Sequence, residues 1–357
     1  MGMMINEIEE LLRPEVRKLV PYKANHMPQC ITLDANENPF PWPEGMREKL
    51  FAANIPFNRY PDGMAEDLKQ AIAEYVQLSP EGILVGNGSD ELIQLLLLTF
   101  GGGGKSLVIH PPTFSMYQIA ARLTSTAVLE VPLLEGLYLD VEKMLQAAQS
   151  PDVHVLIICN PNNPTGSLFP RQDILRLVKE SGKIVVVDEA YAEFSGETLI
   201  PELANFPNLV ILRTFSKAFG MAGLRLGYLL GQPGTIDLVN RVRAPFNVNS
   251  LSQKAGILAL QYLTEYQKQI QSIKSETQKL YQGLSAVPGV KVYPTKANFI
   301  LFKPEDADRW TRELLQRGFL VRNMGELPVL GRCLRISAGL PEENVELLKA
   351  IAEIKRL

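Results

Sequence analysis

The sequence of 357 residues has only three cysteines and three histidines, and both shortages remove classes of function. Cys30, Cys159 and Cys333 are odd in number and far apart, which argues against a disulfide framework or a zinc cluster and suits a reducing cytosol. His26, His110 and His154 stand singly without metal-ligand spacing, so no metal is expected and each reads first as a structural or surface residue. Long hydrophobic runs are also missing. The best stretch, 92–100, contains Gln94 and Thr99 and falls far short of the roughly 20 residues a membrane-spanning helix needs. The amino terminus, M-G-M-M-I-N-E-I-E-E, is acidic and lacks an apolar signal core, so a cytoplasmic location is expected. With 36 basic and 39 acidic residues the formal charge is −3, and no basic run suggests nucleic acid or a membrane as partner. No internal repeat is visible.

What is present is alternation. Apolar runs at 83–85, 106–110, 153–159, 183–187, 209–212 and 224–230 read as strands, with helical patterns between several of them, such as 90–100, 117–124 and 172–180. Near-continuous Val, Ile and Leu strands separated by helices predict an α/β fold: a three-layer domain whose mostly parallel sheet is covered on both faces. That large domain is expected over residues 36–250. A long helical stretch from Leu251 to Leu284 comes next, then strands at 290–293, 298–302 and 333–338 and helices at 306–317 and 341–354, which read as a smaller α+β domain over 251–357. Residues 1–35 are expected to form an arm belonging with the small domain, and P-F-P-W-P (39–43) an extended connector.

In open parallel sheets, ligands bind beyond the carboxyl ends of the strands. Those ends carry G-N-G-S-D (86–90), P-P-T-F (111–114), N-P-N-N-P-T-G (160–166), D-E-A-Y (188–191) and R-T-F-S-K (213–217). Taken singly, most have plain readings. G-N-G-S-D before a helix is either a phosphate cradle or a turn with Ser89 or Asp90 as helix cap. Phe114 is either core or a stacking ring, and the Asn/Pro run is either a functional loop or only a loop. Asp188 and Lys217 are harder to dismiss, because each is an ionisable group at the end of a buried strand and needs a partner of opposite charge.

One ligand meets all of these needs. An aromatic cation requires a carboxylate at its ring nitrogen and a flat side chain on its face; its phosphate requires amides, hydroxyls and an arginine; its aldehyde requires an amine. Pyridoxal 5′-phosphate is such a ligand. Lys217 would be the amine, Thr214 and Ser216 hydroxyls, and Arg225 the bidentate guanidinium for phosphate.

N-P-N-N-P-T-G, D-E-A-Y and T-F-S-K-A-F-G-M-A-G-L-R-L-G-Y (214–228) resemble the cofactor motifs of fold-type I aminotransferases, class II. With L-D-A-N-E-N-P (33–39), N-R-Y-P-D (58–62), G-N-G-S-D-E (86–91), P-P-T-F-S-M-Y (111–117), A-N-F-I-L (297–301) and C-L-R-I-S-A-G (333–339), the set is similar to the histidinol-phosphate aminotransferase family across nearly the whole chain. The resemblance implies transamination between histidinol phosphate and 2-oxoglutarate, yielding glutamate, by a homodimer. It also implies roles: Lys217 as cofactor amine and proton shuttle, Asp188 at the ring nitrogen, Asn163 and Tyr191 at the phenolic oxygen, and Phe114 stacked on the ring, where many relatives carry tyrosine. Ser89, Asp90, Thr214, Ser216 and Arg225 would bind the phosphate, joined by Tyr60 from a partner subunit. Arg335, Arg322, Tyr22 and Asn163 would meet the substrate, with arginines on its phosphate.

G-G-G-G-K-S (101–106) imitates a nucleotide-binding loop, but the position that should hold the first glycine is Thr99, and the helix precedes the glycines where it should come after the lysine. Three rivals remain inside the same fold: an aminotransferase for aromatic amino acids, a lyase resembling threonine-phosphate decarboxylase, and a non-catalytic cofactor sensor, for which no DNA-binding extension is visible.

Overall fold

The computed structural model describes residues 5–17, 19, 21 and 27–356. In chain order its strands are β1 (Ile31–Thr32), β2 (Ile83–Gly86), β3 (Ser106–Ile109), β4 (Ala127–Glu130), β5 (Val153–Cys159), β6 (Ile184–Asp188), β7 (Leu209–Thr214), β8 (Gly227–Leu230), β9 (Lys291–Val292), β10 (Phe299–Lys303), β11 (Phe319–Leu320), β12 (Arg322–Leu327) and β13 (Gly331–Ser337). Seven of them form the main sheet in the order β2-β8-β7-β6-β5-β3-β4. All run one way except β8, which is antiparallel to both of its neighbours.

Period-two alternation sends successive side chains to opposite faces, and each face finds its own core. Val186, Leu212 and Ile157 join Leu92, Leu96 and Tyr117 on one side, while Val185, Val187, Ile211 and Ile158 join the larger cluster on the other. Both faces are therefore covered, as continuous apolar strands require. Register aligns Cys159 with Asp188 and Asp188 with Leu212, so the carboxyl ends of β5, β6 and β7 open at one rim.

The expected strand at 224–230 is shorter than the apolar run. Residues Ala222–Leu224 form a single 3-10 turn and Arg225 has a left-handed backbone (φ 51°), so extended pairing starts only at Gly227. The long helical stretch is two helices, Ser250–Gln261 and Leu263–Ser285. They part at Tyr262, whose amide is shared between the carbonyls of Leu258 and Ala259. Four strands of the structure, β1, β4, β11 and β12, are not among the expected ones.

The carboxyl-terminal part carries the antiparallel sheet β12-β13-β10-β9. β1 pairs in parallel with β11, Ile31 opposite Phe319, which ties the early chain to the late chain. The Asn/Pro loop also docks there: the Lys296 amide donates to the Gly166 carbonyl at 2.8 Å. Gly166 has φ 73°, and a Cβ on it would lie 2.2 Å from Thr295 Oγ1, so only glycine fits this approach. Among the described residues no helix is long and apolar enough to cross a membrane.

Candidate active site

Asp188 ends β6 on the face of Val186, only 3 % exposed. Its Oδ2 accepts from the Tyr117 hydroxyl at 2.6 Å and its Oδ1 from the Ala190 amide at 3.1 Å. No basic side chain pairs with it among the described residues. Burial raises its carboxyl to about 6, against the pull of those two donors. Tyr117 was not foreseen as its partner, although it lies one helical turn after Phe114 in P-P-T-F-S-M-Y. Phe114 is half-buried and meets the Tyr117 ring edge-on at 5.6 Å.

Lys217 lies three residues beyond β7 and is half-buried, its Nζ donating to the Ala35 carbonyl at 2.8 Å. Burial, then the positive charges of Arg335 and Arg225, depress its ammonium to about 8, with Glu37 and Asp90 opposing. Asp188 ends β6 and Lys217 follows the adjacent parallel strand β7, so carboxylate and amine stand at one rim of the sheet. The segment 33–38 crosses that rim. Asn36 Nδ2 donates to the Tyr191 hydroxyl at 2.9 Å, and Asn38 Nδ2 donates to the Ala218 carbonyl at 2.9 Å.

At the end of β2 the chain turns through Gly88 (φ 83°) into the helix Ser89–Phe100. Gly88 is itself the cap; neither Ser89 nor Asp90 fills that position, and Glu91 Oε2 accepts from the Asn87 amide at 2.5 Å. Asp90 instead pairs with Arg225 at 3.1 Å. A Cβ on Gly88 would sit 2.6 Å from Arg225 Nη2, so glycine is what lets the guanidinium lie against the turn. Thr214 Oγ1 accepts from the Ser216 amide at 3.1 Å, which turns the chain sharply after β7. Amides at a helix start, two hydroxyls and a guanidinium make an anion cradle.

Arg335 lies on β13. Its Nη1 donates to Asn163 Oδ1 and its Nη2 to the Asp34 carbonyl, each at 2.6 Å, and its guanidinium stands 5.4 Å from the Phe299 ring centre. Asn163 is thus fixed with its oxygen engaged and its amide hydrogens left for the pocket. Register places Arg322 of β12 directly opposite Arg335. Directly opposed residues of antiparallel strands project on one face, so the two guanidinium groups are neighbours there.

Two sequence-derived residues lie apart. Tyr60 is 80 % exposed and stacked on Phe246 at 4.6 Å, with no hydrogen bond to the pocket among the described residues. Tyr22 falls outside the described residues. Behind the pocket lies an unforeseen cluster: Arg213 pairs with Glu189 at 2.7 Å and Glu193 at 2.8 Å, all three side chains nearly inaccessible. It ties the loop after β6 to the end of β7, on the face opposite Asp188 and Thr214. A cleft of about 510 Å³ near Trp42, Phe51 and Leu224 shares none of the sequence-derived site residues.

The family model for aminotransferase class I and II matches residues 28–351. The chain is 58 % identical over 352 residues to a histidinol-phosphate aminotransferase of Desulfitobacterium hafniense (strain Y51), covering 97 % of this chain and 98 % of that protein. Among solved structures it resembles the histidinol-phosphate aminotransferase of Sinorhizobium meliloti in complex with pyridoxal-5′-phosphate (TM-score 0.87, 25 % identity, 97 % and 98 % coverage). It also resembles that of Clostridium acetobutylicum (TM-score 0.85, 26 % identity, 91 % and 99 % coverage).

Proposed function

We propose, from the premise that the chain belongs to the class I and II aminotransferase family, that it transfers the amino group of L-histidinol phosphate to 2-oxoglutarate, giving imidazole acetol phosphate and glutamate in histidine biosynthesis. The observation that carries the substrate is the opposed pair Arg322 and Arg335: two guanidinium groups on one face suit a dianionic phosphate better than a single carboxylate.

The cofactor is pyridoxal 5′-phosphate, and the residues present fit it. Asp188 is a buried carboxylate with no basic partner among the described residues, Gly88 and Arg225 frame an anion cradle, and Lys217 is an amine with a depressed pKa. When bound, this cofactor supplies a protonated ring that accepts the electron pair left when the carbon bearing the amino group loses its proton. Asp188, held by Tyr117, keeps the ring nitrogen protonated. Asn163 Nδ2 and the Tyr191 hydroxyl donate to the phenolic oxygen, and Phe114 covers one ring face. The amides of Ser89 and Asp90, with Thr214, Ser216 and Arg225, bind the cofactor phosphate. Lys217 Nζ would hold the cofactor and move the proton of the amino-bearing carbon. Tyr22 and Arg322 join Arg335 and Asn163 around the substrate.

A homodimer completes this reading, with Tyr60 of the partner subunit at the phosphate. It is supported by the exposed rings of Phe51, Phe57, Tyr60 and Phe246, of which Tyr60 and Phe246 stack on each other at the surface. We take residues 36–250 as the large cofactor-binding domain, 251–357 as the long connecting helical stretch and small domain, and 1–35 as an arm associated with the small domain. The absence of a spanning helix among the described residues is compatible with a cytoplasmic location.

One assay tests the substrate. Incubation with 2-oxoglutarate and histidinol phosphate, phenylalanine or threonine phosphate is expected to give glutamate fastest from the first. Faster glutamate formation from phenylalanine, or carbon dioxide release from threonine phosphate, would replace this reading with one of its rivals.

The depressed pKa of Lys217 has its own readout. Condensation with an aldehyde needs the unprotonated amine, so uptake of cofactor by the apoprotein, monitored at about 410–430 nm, should quicken with pH and level off just above about 8. A rate that keeps climbing towards 10.5, the ordinary value, would show that the amine is not perturbed.

A further inference from the structure

Asn36 is 1 % exposed and has a left-handed backbone (φ 55°). Its amide N–H donates to Ser337 Oγ at 2.8 Å, and its carbonyl accepts from Asn298 Nδ2 at 3.1 Å. Ser337 Oγ also approaches Asn36 Oδ1 at 3.3 Å. The side-chain amide is thereby oriented with its oxygen towards Ser337 and its nitrogen towards Tyr191, to whose hydroxyl oxygen it donates at 2.9 Å. That hydroxyl makes no other hydrogen bond among the described residues.

A phenol carries one hydrogen, which lies near the ring plane on one side of the oxygen or the other. A donor arriving on one side commits the hydrogen to the other. We propose that Asn36 is a positioning residue for the chemistry: by occupying the acceptor side of the Tyr191 oxygen, it turns the hydroxyl hydrogen into the pocket and makes Tyr191 an obligate donor there. The proposal rests on the reading that Tyr191 donates to the cofactor's phenolic oxygen. Because Ser337 and Asn298 belong to the carboxyl-terminal sheet region and Tyr191 comes just after a main-sheet strand, Asn36 carries the position of one part of the molecule to a single hydrogen atom in the other.

The test uses the holoenzyme and the pH midpoint of its visible band at about 410–430 nm. That chromophore's proton is shared with the phenolic oxygen, so removing a donor from the oxygen makes it a better acceptor and holds the proton to higher pH. Tyr191→Phe should raise the midpoint by about one unit, the size of one hydrogen bond to a charged group. Asn36→Asp puts an acceptor where the donor was, turns the hydroxyl round and should raise the midpoint by a similar amount. Asn36→Gly, which the left-handed backbone accepts, should raise it less, since the hydroxyl is then merely free to rotate. Added to Tyr191→Phe, neither Asn36 variant should move the midpoint further. An equal shift with and without the Tyr191 hydroxyl, or no shift from either Asn36 variant, would overturn the proposal. No shift from Tyr191→Phe alone would instead remove the underlying reading of Tyr191.

Discussion

Replacing Lys217 with alanine abolishes the visible band and lowers turnover by about ten-thousand-fold or more, while the protein still retains cofactor through its phosphate. The size reflects two losses at one atom: the covalent hold on the cofactor and the base that moves the substrate proton, the latter alone contributing about a hundred- to ten-thousand-fold. Retention is a matter of geometry, because the cradle at Gly88, Arg225, Thr214 and Ser216 is built by the helix start and the turn after β7, not by the Lys217 side chain. Absorbance spectra and equilibrium dialysis of the purified variant, beside steady-state rates, separate the two effects. A variant that keeps its band, or turns over within an order of magnitude of the parent, would remove Lys217 from the mechanism.

Asp188→Asn is expected to lower kcat by about a hundred-fold or more with a much smaller loss of cofactor affinity. Asparagine preserves the shape, and its side-chain oxygen can still accept from the Tyr117 hydroxyl that now reaches Asp188 Oδ2 at 2.6 Å. What disappears is the charge. An adjacent anion raises the pKa of a cation by about one to three units, and without it a ring nitrogen in this buried place loses its proton. Each unit surrendered is about tenfold in the protonated fraction. Single-turnover rates and a cofactor titration measure the two quantities, and near-parental kcat in a cofactor-loaded variant would contradict the assignment.

The chemistry of the rim was legible because parallel strands put it at fixed places in the chain. After V-V-V the next residue is Asp188, and after L-V-I-L come Arg213, Thr214, Ser216 and Lys217. Apolar runs flag the strands, and the residues just beyond each run stand at the carboxyl rim of the sheet. Contacts made across the fold were not legible. Asn36 meets Tyr191 from 155 residues away and Tyr117 meets Asp188 from 71, and no local pattern encodes either distance. Arg213 stands at the end of the same run, yet alternation turns it to the opposite face, where Glu189 and Glu193 hold it.

The two longer strands of the four missed share a cause. β4, A-V-L-E, is an edge strand without a buried residue, and β12, R-N-M-G-E-L, has no apolar alternation at all. Both are extended because a neighbour supplies the hydrogen bonds, β3 for one and β13 for the other. The break at Tyr262 is hidden for the converse reason: nothing in the residues opposes a helix there, and only the tightened turn records it.

The register that sets Arg322 against Arg335 also bears on what the enzyme refuses. Under the proposed reading, a phosphorylated amine brings both side chains an anion to which each can donate. An amine with an uncharged tail brings none and forgoes those charge-assisted bonds. Discrimination would then depend less on the snugness of a hole than on whether the visitor carries charge for two neighbouring strands to share.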